Sequence, residues 1–575
     1  MQRARMFMSS QPSQSVAVPA ALFATLLAVA ASASGQHQGH QMGATAEDGK
    51  AVWRMPPMDT MMPMLPGLEG AVPPIEPFLP GLDIDPRMLP EAEPREVRDL
   101  GDGDEIDLEA TLVRRTIGHR ELVAYGYNGQ YPGPLIRARQ GSTITVHFTN
   151  NIEMPTTVRW HGVRVDNEFD GTPVVSQDPV ARGKSFTYEV HFTDSGIYWY
   201  HPQVRTDIQM DLGLYGALLV APLEDDYYGP ANREEVLILD DILMDPMGAL
   251  PWGRDAPTHA LMGRFGNVML INGESGYRLS VQRGELVRFF LANAANARTF
   301  NLTFDGVPMK IIASDAGKFE REAWVHSVVI APGERYVVEV LFEEPGDVKI
   351  ENTIQAINHF RGVFYPHVDR LGTVEVSSDP VVDSHANGFE HLSNNADADL
   401  DIERFRPYFD KPPDRRLELS LEVRDLPLPI VLSMEFEKGL YVPPVEWNDT
   451  MPMMNWLASG SQVLWILRDL DTGRENMEIY WDFDSGDIVK IRIFNDPETL
   501  HPMNHPIHLH GQRFLVLETD GVRNDNLVWK DTALVPVAST IDILVDMSNP
   551  GEWVLHCHIA EHLHTGMMLS FGVWE

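Results

Sequence analysis

The sequence predicts an all-β protein made of three related β-sandwich domains. From about residue 106 to the C-terminus, short runs of β-branched and aromatic residues are bounded by Gly, Pro, Asn and Asp, and helical periodicity is almost absent. One strand phrase also recurs three times, and an asparagine follows each copy. Three copies of one unit predict three related sandwiches of about 150 residues each. The copies are Gly141-Ser-Thr-Ile-Thr-Val with Asn150, Gly284-Glu-Leu-Val-Arg-Phe with Asn293, and Gly486-Asp-Ile-Val-Lys-Ile with Asn495.

The length and the polar stretches of the chain predict its domain organisation. The 575 residues allow three or four domains, at roughly 100–200 residues for each. Polar segments after Pro222 and from Ser377 to Asp410 predict the boundaries between sandwiches. The predicted organisation is a signal peptide at 1–33, a linker at 34–105, and domains at 106–222, 223–380 and 381–575.

The N-terminus predicts export. Arg3 and Arg5 precede an apolar run from Val16 to Ala31, and the small residues Ala31-Ser-Ala33 form a cleavage pattern. The run is short for a membrane span, and no other stretch of the chain approaches twenty apolar residues. We therefore expect an exported protein, periplasmic or secreted, with no membrane span.

The predicted linker is rich in methionine, histidine and proline and has no periodic apolar face. Such a segment cannot bury enough surface to offset its ordering entropy, so we expect it to be disordered. Its thioether and imidazole groups are ligands for Cu(I). Copper capture and a proline-rich spacer that contains methionine by chance both remain open for it.

Charge excludes one class of partner. Acidic side chains number 83 against 45 basic ones, which gives a formal net charge of −38. Nucleic acid is an improbable partner for such a surface, because Lys and Arg carry phosphate binding. The single cysteine, Cys557, also rules out an intrachain disulfide.

The metal-ligating residues are concentrated in two C-terminal motifs. One is His505-Pro-Ile-His508-Leu-His510, and the other starts at His556-Cys557-His558 and continues through His562 to Met567. Alternate residues of a strand face the same way, so the sulfur and the flanking imidazoles face opposite sides. A thiolate with two imidazoles and a distant thioether is the ligand set of a blue-copper site. Cys557, His562, Met567 and His505 supply that set.

A zinc peptidase is the alternative interpretation of the second motif. The residues from His558 to His562 satisfy the pattern H-x-x-E-H. That pattern needs a helix that brings both histidines to one metal ion. The segment before His558 instead has the composition of a strand, which disfavours the zinc interpretation.

Together the motifs resemble those of the multicopper oxidases, the family of laccases and bacterial copper-tolerance oxidases. The resemblance extends into the first domain through Arg159-Trp-His161-Gly, Phe169-Asp170-Gly and Trp199-Tyr-His201-Pro-Gln203. It implies three cupredoxin-like Greek-key β-sandwiches, with a type 1 copper in the third domain and a trinuclear copper cluster between the first and third. The implied type 1 ligands are His505, Cys557, His562 and Met567. The implied trinuclear ligands are His508 at type 2 and His161, His201, His510, His556 and His558 at the type 3 pair.

Two positions depart from the family pattern. Arg159 stands where a second type 2 histidine is expected, and Gln203 stands where a type 3 histidine is expected. A guanidinium group offers no lone pair and carries a positive charge, whereas the amide oxygen of a glutamine is a weak ligand. We therefore expect a blue protein with a complete type 1 site, fewer than four coppers, and slow turnover of O2.

The resemblance implies an oxidoreductase that takes single electrons from a phenolic or metal-ion donor and reduces O2 to water. Electrons would pass from Cys557 to its bonded neighbours His556 and His558, and Asp170 would relay protons. The alternative is a copper protein without oxidase activity that sequesters copper or transfers electrons, which Arg159 and Gln203 favour. The choice of donor and the oligomeric state are not predicted.

Overall fold

A computed structural model describes residues 84–173, 175–245, 248–249, 252, 256–358, 363–424, 445–447 and 462–575. The predicted signal peptide and the predicted linker up to residue 83 lie outside the described residues. Within the described part, no helix is both long and apolar enough to cross a membrane.

The first sandwich places a five-stranded sheet and a four-stranded sheet around one core. Side chains of both sheets, such as Trp160, Tyr188 and Phe148, meet in that core. In β5 every second residue is buried, which is the pattern of a strand with one face on a core. The sheet orders are β1-β4-β9-β8-β6 and β3-β2-β5-β7. The strands are β1 (Val97–Asp99), β2 (Glu105–Ile117), β3 (Arg120–Tyr127), β4 (Leu135–Arg139), β5 (Thr143–Asn150), β6 (Arg159–His161), β7 (Lys184–His191), β8 (Gly196–His201) and β9 (Gly216–Ala221).

The second sandwich is built from two six-stranded sheets. One is ordered β13-β10-β15-β20-β17-β18, and the other is ordered β14-β22-β21-β16-β19, with β24 paired to β21 as its sixth strand. The short strands β11 and β12 form a separate hairpin. The strands are β10 (Arg233–Ile242), β11 (Met244–Asp245), β12 (Gly248–Ala249), β13 (Val268–Ile271), β14 (Tyr277–Arg283), β15 (Glu285–Asn293), β16 (Phe300–Phe304), β17 (Met309–Ser314), β18 (Gly317–Val325), β19 (Val328–Ile330), β20 (Arg335–Phe342), β21 (Gly346–Asn358), β22 (Val363–Pro380) and β24 (Val445–Trp447).

The third sandwich has sheets ordered β25-β23-β27-β33-β29-β30 and β26-β35-β34-β28-β32, with β31 paired to β29. Its core includes Trp465, Trp553 and Cys557. The strands are β23 (Arg415–Val423), β25 (Val463–Asp469), β26 (Tyr480–Asp484), β27 (Asp487–Asn495), β28 (His505–Leu509), β29 (Arg513–Thr519), β30 (Val522–Arg523), β31 (Trp529–Lys530), β32 (Thr532–Val535), β33 (Thr540–Met547), β34 (Gly551–Cys557) and β35 (Met568–Trp574).

Helices in the described residues are short and lie between strands. The α-helices are α1 (Thr206–Gln209), α2 (Ala256–Met262), α3 (Ala386–Phe389), α4 (Ala396–Glu403) and α5 (Ala560–His564). The 3-10 helices span Pro86–Met88, Asn167–Phe169, Arg406–Tyr408 and Asn476–Glu478. The predicted all-β class of three cupredoxin-like sandwiches is confirmed.

The recurring strand phrase occupies the same place in each sandwich. Its strands β5, β15 and β27 each pair in parallel with an earlier strand, β2, β10 and β23 respectively. The glycine before each strand has a positive φ, of 81°, 80° and 94°, in the region that side chains disfavour. The asparagine that ends each strand donates its side-chain amide to two backbone carbonyls, one four to eight residues further along the chain and a second one more distant. The donors are Asn150, Asn293 and Asn495, and the second acceptors are Val180, Ile330 and Val535.

The predicted linker ends earlier than the sequence pattern indicates. Val97–Asp99 pairs in parallel with residues 135–137 of β4. Ala92 is also buried in the core of the first sandwich. The segment lacks apolar periodicity because it covers a sheet edge with backbone hydrogen bonds and few apolar side chains. The chain therefore joins the first domain well before residue 106.

Candidate metal centre

Two neighbouring strands of the third sandwich, together with the residue after each strand, carry most of the metal-ligating side chains. β28 and β34 run antiparallel, with Ile507 opposite Cys557 and His508 opposite His556. Because side chains alternate along a strand, Cys557 lies in the core of the third sandwich, whereas the next residue, His558, contacts His161 of the first sandwich. One strand thus serves two separate clusters.

The first cluster combines a thiol with two imidazoles. The Sγ atom of Cys557 lies 3.5 Å from Nδ1 of His505 and 3.8 Å from Nδ1 of His562, and the two Nδ1 atoms are 3.3 Å apart. Helix α5 returns His562 to the sulfur after β34 ends. Met567 is fully buried in the same core, and its carbonyl oxygen accepts a hydrogen bond from the Cys557 amide at 3.1 Å. We call His505, Cys557 and His562 the sulfur cluster.

The sulfur cluster is prepared for a soft metal ion. Burial lowers the pKa of His505 to about 3 and that of His562 well below its usual value, so both imidazoles are neutral. The Nε2 atom of His562 donates to the carbonyl oxygen of Leu261 at 3.1 Å, which leaves the Nδ1 lone pair directed at the sulfur. Burial raises the pKa of the Cys557 thiol, and a bound cation would offset that cost. These residues fit a copper ion.

Trp465 holds both imidazoles of the sulfur cluster. Its ring stacks on His562 with centroids 4.1 Å apart and meets the His505 ring edge-on at 4.8 Å. Its indole N–H donates to the carbonyl oxygen of Ala260 at 2.8 Å. Trp465 therefore fixes the orientation of the two histidines.

We expect Trp465→Ala to lower the free energy of unfolding of the metal-free protein by about 3–5 kcal/mol, because it empties a buried aromatic site. Trp465→Phe is the comparison variant, since it keeps one aromatic ring while losing the N–H donor and part of the volume, and it should therefore cost less than Trp465→Ala. Chemical denaturation of both variants measures the effect. Equal stability of the Ala variant and the unsubstituted protein would contradict a packing role for the indole.

Helix α2 of the second domain covers the sulfur cluster. Consecutive carbonyl oxygens, those of Ala260 and Leu261, accept the hydrogen bonds from Trp465 and His562. His505 and His562 are 1% and 0% exposed, so both rings are buried in the part of the chain that the structure describes. Leu261 of this helix therefore covers the Nε2 edge of His562.

Three further imidazoles form a cluster between the first and third sandwiches. The Nδ1 atom of His161 lies 3.4 Å from Nε2 of His201 and 3.2 Å from Nε2 of His558. Nδ1–H of His201 donates to the carbonyl oxygen of Pro202 at 2.8 Å, so the Nε2 lone pair is available to bind a metal ion. All three side chains are buried.

His510 and His556 form a further imidazole cluster. We call this cluster and the one formed by His161, His201 and His558 the imidazole clusters. Nε2 of His510 is 3.0 Å from Nε2 of His556. Both Nδ1 atoms face acceptors, the carboxylate of Asp170 at 3.0 Å and the carbonyl oxygen of Cys557 at 2.8 Å. Each Nδ1 therefore carries the proton, and the two Nε2 lone pairs face each other. Only a shared cation makes that arrangement favourable.

The two off-pattern residues are both buried but differ in their contacts. Gln203 is buried, and its Oε1 has no hydrogen-bond partner among the described residues. Arg159 is fully buried, with Nη1 2.8 Å from Oδ1 of Asp170 and Nη2 3.3 Å from Nε2 of His508. Gln203 thus keeps an unused acceptor, whereas Arg159 presents only donors.

Asp531 is a residue of this centre that the sequence interpretation missed. It forms two hydrogen bonds of 2.6 Å with Arg335 of the second domain. Its Oδ1 also lies 3.3 Å from Nε2 of His161 and 3.4 Å from Nδ1 of His508. The available signal was the polar triplet Lys530-Asp531-Thr532 inside an apolar run, because a charge in a buried strand needs a partner.

The zinc interpretation has no geometric support. His558 and His562 belong to different clusters, and the helix between them, Ala560–His564, begins only after His558. Glu561 instead accepts a hydrogen bond from the Asn296 amide at 3.1 Å.

Comparison with known proteins decides the family. Profiles described as multicopper oxidase match residues 111–225, 234–361 and 451–574. The chain belongs to the multicopper oxidase family. The predicted membership and oxidoreductase class are thereby confirmed, and membership implies that the protein binds copper.

Individual multicopper oxidases and related oxidases share about a quarter of the sequence. Dihydrogeodin oxidase of Aspergillus terreus is 26% identical over 524 residues, 81% of this chain and 82% of that protein. Multicopper oxidase MmcO of Mycobacterium tuberculosis is 27% identical over 482 residues, 77% of this chain and 81% of that one. The crystal structure of a multicopper oxidase from Pseudomonas thermotolerans covers 83% of this chain with all of its own length, at 25% identity and a TM-score of 0.60. The fold and the multicopper oxidase membership therefore agree.

Proposed function

We propose that the protein is an exported copper oxidoreductase that accepts single electrons at the sulfur cluster and delivers them to O2 at the imidazole clusters. The supporting observation is the position of Cys557, whose two bonded neighbours belong to the two imidazole clusters. Sulfur cluster and imidazole clusters are therefore joined by one short covalent path. Bound copper would supply the one-electron redox chemistry at each of them.

The chain's own residues position that chemistry in several ways. A type 1 copper would be held by His505, Cys557, His562 and Met567. One copper of the type 3 pair would be held by His161, His201 and His558. His510 and His556, with Gln203, would hold the other. Asp170 accepts from the Thr172 hydroxyl at 2.5 Å and orients His510, which places a carboxylate where protons are needed for water formation.

The donor is proposed to be a small metal cation rather than a bulky phenol. Helix α2 covers the Nε2 edge of His562, whose ring is 0% exposed, and this disfavours contact with a bulky molecule. The net charge of −38 raises the local concentration of cations and their rate of association, by roughly 10–10³-fold for well-steered pairs. Both features favour a small, positively charged donor.

We expect oxidation of Cu(I) or Fe(II) to slow by about tenfold as ionic strength rises from 0.01 to 0.15 M, since salt shortens the Debye length from about 30 to about 8 Å. Oxidation of a neutral phenol should be slow at both ionic strengths. Oxygen uptake by the copper-loaded protein measures both rates.

A variant in which a short Gly-Ser segment replaces Ala256–Met262 is the complementary test. It should raise the phenol rate, while Met262→Leu, which conserves volume, should leave it low. Rapid phenol oxidation by the unsubstituted protein would contradict the proposed donor class. Absence of O2 uptake with every donor, from a blue protein, would instead favour copper sequestration or electron transfer.

A further inference from the structure

Arg159 is a cation buried among imidazoles. It begins β6, pairs with His201 across the sheet, and is 0% exposed. A buried guanidinium group is costly unless an opposite charge and hydrogen-bond acceptors compensate it. The acceptors it uses therefore show what it does in this centre.

One ion pair and two hydrogen bonds hold the guanidinium group, and its Nε has no hydrogen-bond partner among the described residues. Nη1 lies 2.8 Å from Oδ1 of Asp170 and donates to the carbonyl oxygen of Trp160 at 2.9 Å. Nη2 lies 3.3 Å from Nε2 of His508. The Asp170 carboxylate balances the positive charge, so the pair can remain buried without a further counter-ion.

The histidine in contact with Arg159 has no lone pair left for a metal ion. Nδ1 of His508 is 3.0 Å from the backbone carbonyl oxygen of Asp531, which can only accept a hydrogen bond. The Nδ1 atom therefore carries the proton, and Nε2 is the acceptor that Arg159 uses. His510 and His556 differ in this respect, because their Nε2 lone pairs face each other at 3.0 Å.

We infer that the guanidinium group of Arg159 permanently occupies the place of one copper ion, the type 2 copper that His508 would otherwise hold. This inference rests on the proposed function, that is, on copper at the other clusters. An arginine side chain stays protonated in proteins, so it repels a cupric ion at that position. The protein would then hold at most three coppers: one at the sulfur cluster and two at the imidazole clusters.

The second off-pattern residue acts differently. The buried Oε1 of Gln203 has no hydrogen-bond partner among the described residues, so an acceptor remains available two residues after His201. The substitution at 203 weakens a ligand position, whereas the arginine at 159 fills one.

The test is copper analysis and electron paramagnetic resonance (EPR) of the reconstituted full-length protein. We expect no more than three coppers per chain and a single EPR signal, from the sulfur cluster, since a coupled copper pair is EPR-silent. Arg159→His should add one copper and a second EPR signal with wide hyperfine splitting. Arg159→Lys retains the charge, and Gln203→His changes only a ligand position of the type 3 copper pair. Neither variant should show a second EPR signal.

The outcomes separate the two proposals. A blue unsubstituted protein with four coppers and two EPR signals would overturn the inference about Arg159 and leave the proposed function intact. A colourless protein after reconstitution would overturn the proposed function itself. A folded, blue Arg159→His variant without a second EPR signal would also overturn the inference. The measurement on the unsubstituted protein decides the matter if that variant does not fold.

Discussion

Replacing Cys557 with serine is expected to abolish the intense visible absorption of the copper-loaded protein and to reduce donor-driven O2 uptake to background. The thiolate is the only soft anionic ligand within reach of Nδ1 of His505 and His562, at 3.5 and 3.8 Å. A serine hydroxyl does not ionise at neutral pH and cannot replace it. An absorption spectrum and an oxygen electrode measure the two losses.

Two comparisons make this expectation specific. Met567→Leu conserves volume and removes only the distant thioether, so it should shift the absorption without abolishing it. Metal analysis of Cys557→Ser should still find copper at the imidazole clusters, because their ligand atoms are unchanged. Unaltered colour in the serine variant would refute the assignment of the sulfur cluster.

Replacing Asp531 with asparagine is expected to lower the free energy of unfolding of the metal-free protein by about 3–5 kcal/mol, the usual cost of breaking a buried ion pair. Arg335 is 0% exposed and would lose both of its 2.6 Å contacts with a charged partner. Asp525→Asn is the matched control, since the Asp525 side chain is 91% exposed and its loss should cost less than about 0.5 kcal/mol. Denaturant titration compares the variants, and equal midpoints would contradict the role of Asp531 as a buried brace.

The same carboxylate predicts a pH dependence. Burial alone would raise the pKa of Asp531, but the charge of Arg335 and hydrogen bonds from His161, His508 and Arg335 lower it well below the usual value. A lowered pKa in the folded state stabilises the protein at every pH above the unfolded value of about 3.9. That contribution disappears as the pH falls below about 4 toward the folded pKa. The stability difference between the unsubstituted protein and Asp531→Asn should therefore narrow below pH 4 and stay constant above about pH 5.

The sequence predicted the fold well because its signals are local. Turn glycines and terminal asparagines recur at fixed distances from each β-branched strand, and each occupies the same place in its sandwich. The alternation around Cys557 also follows from strand geometry alone. These features depend on a few consecutive residues and do not require knowledge of how domains meet.

The sequence did not predict the contacts that the second domain makes with the third. Arg335 and Asp531 are 196 residues apart, and Leu261 and His562 are 301 residues apart. Nothing near either residue in the chain indicates its partner. Arg159 was recognisable as a departure from the family pattern, but its pairing with Asp170 and His508 requires the assembled first and third sandwiches.

The hydrogen bond from His562 to the Leu261 carbonyl has an evolutionary consequence. The second sandwich contributes helix α2, which covers His562, while every sulfur-cluster ligand comes from the third sandwich. Insertions or substitutions in helix α2 would change which electron donors reach the sulfur cluster without altering any metal-binding residue. Substrate preference and redox machinery can therefore diversify independently along this chain.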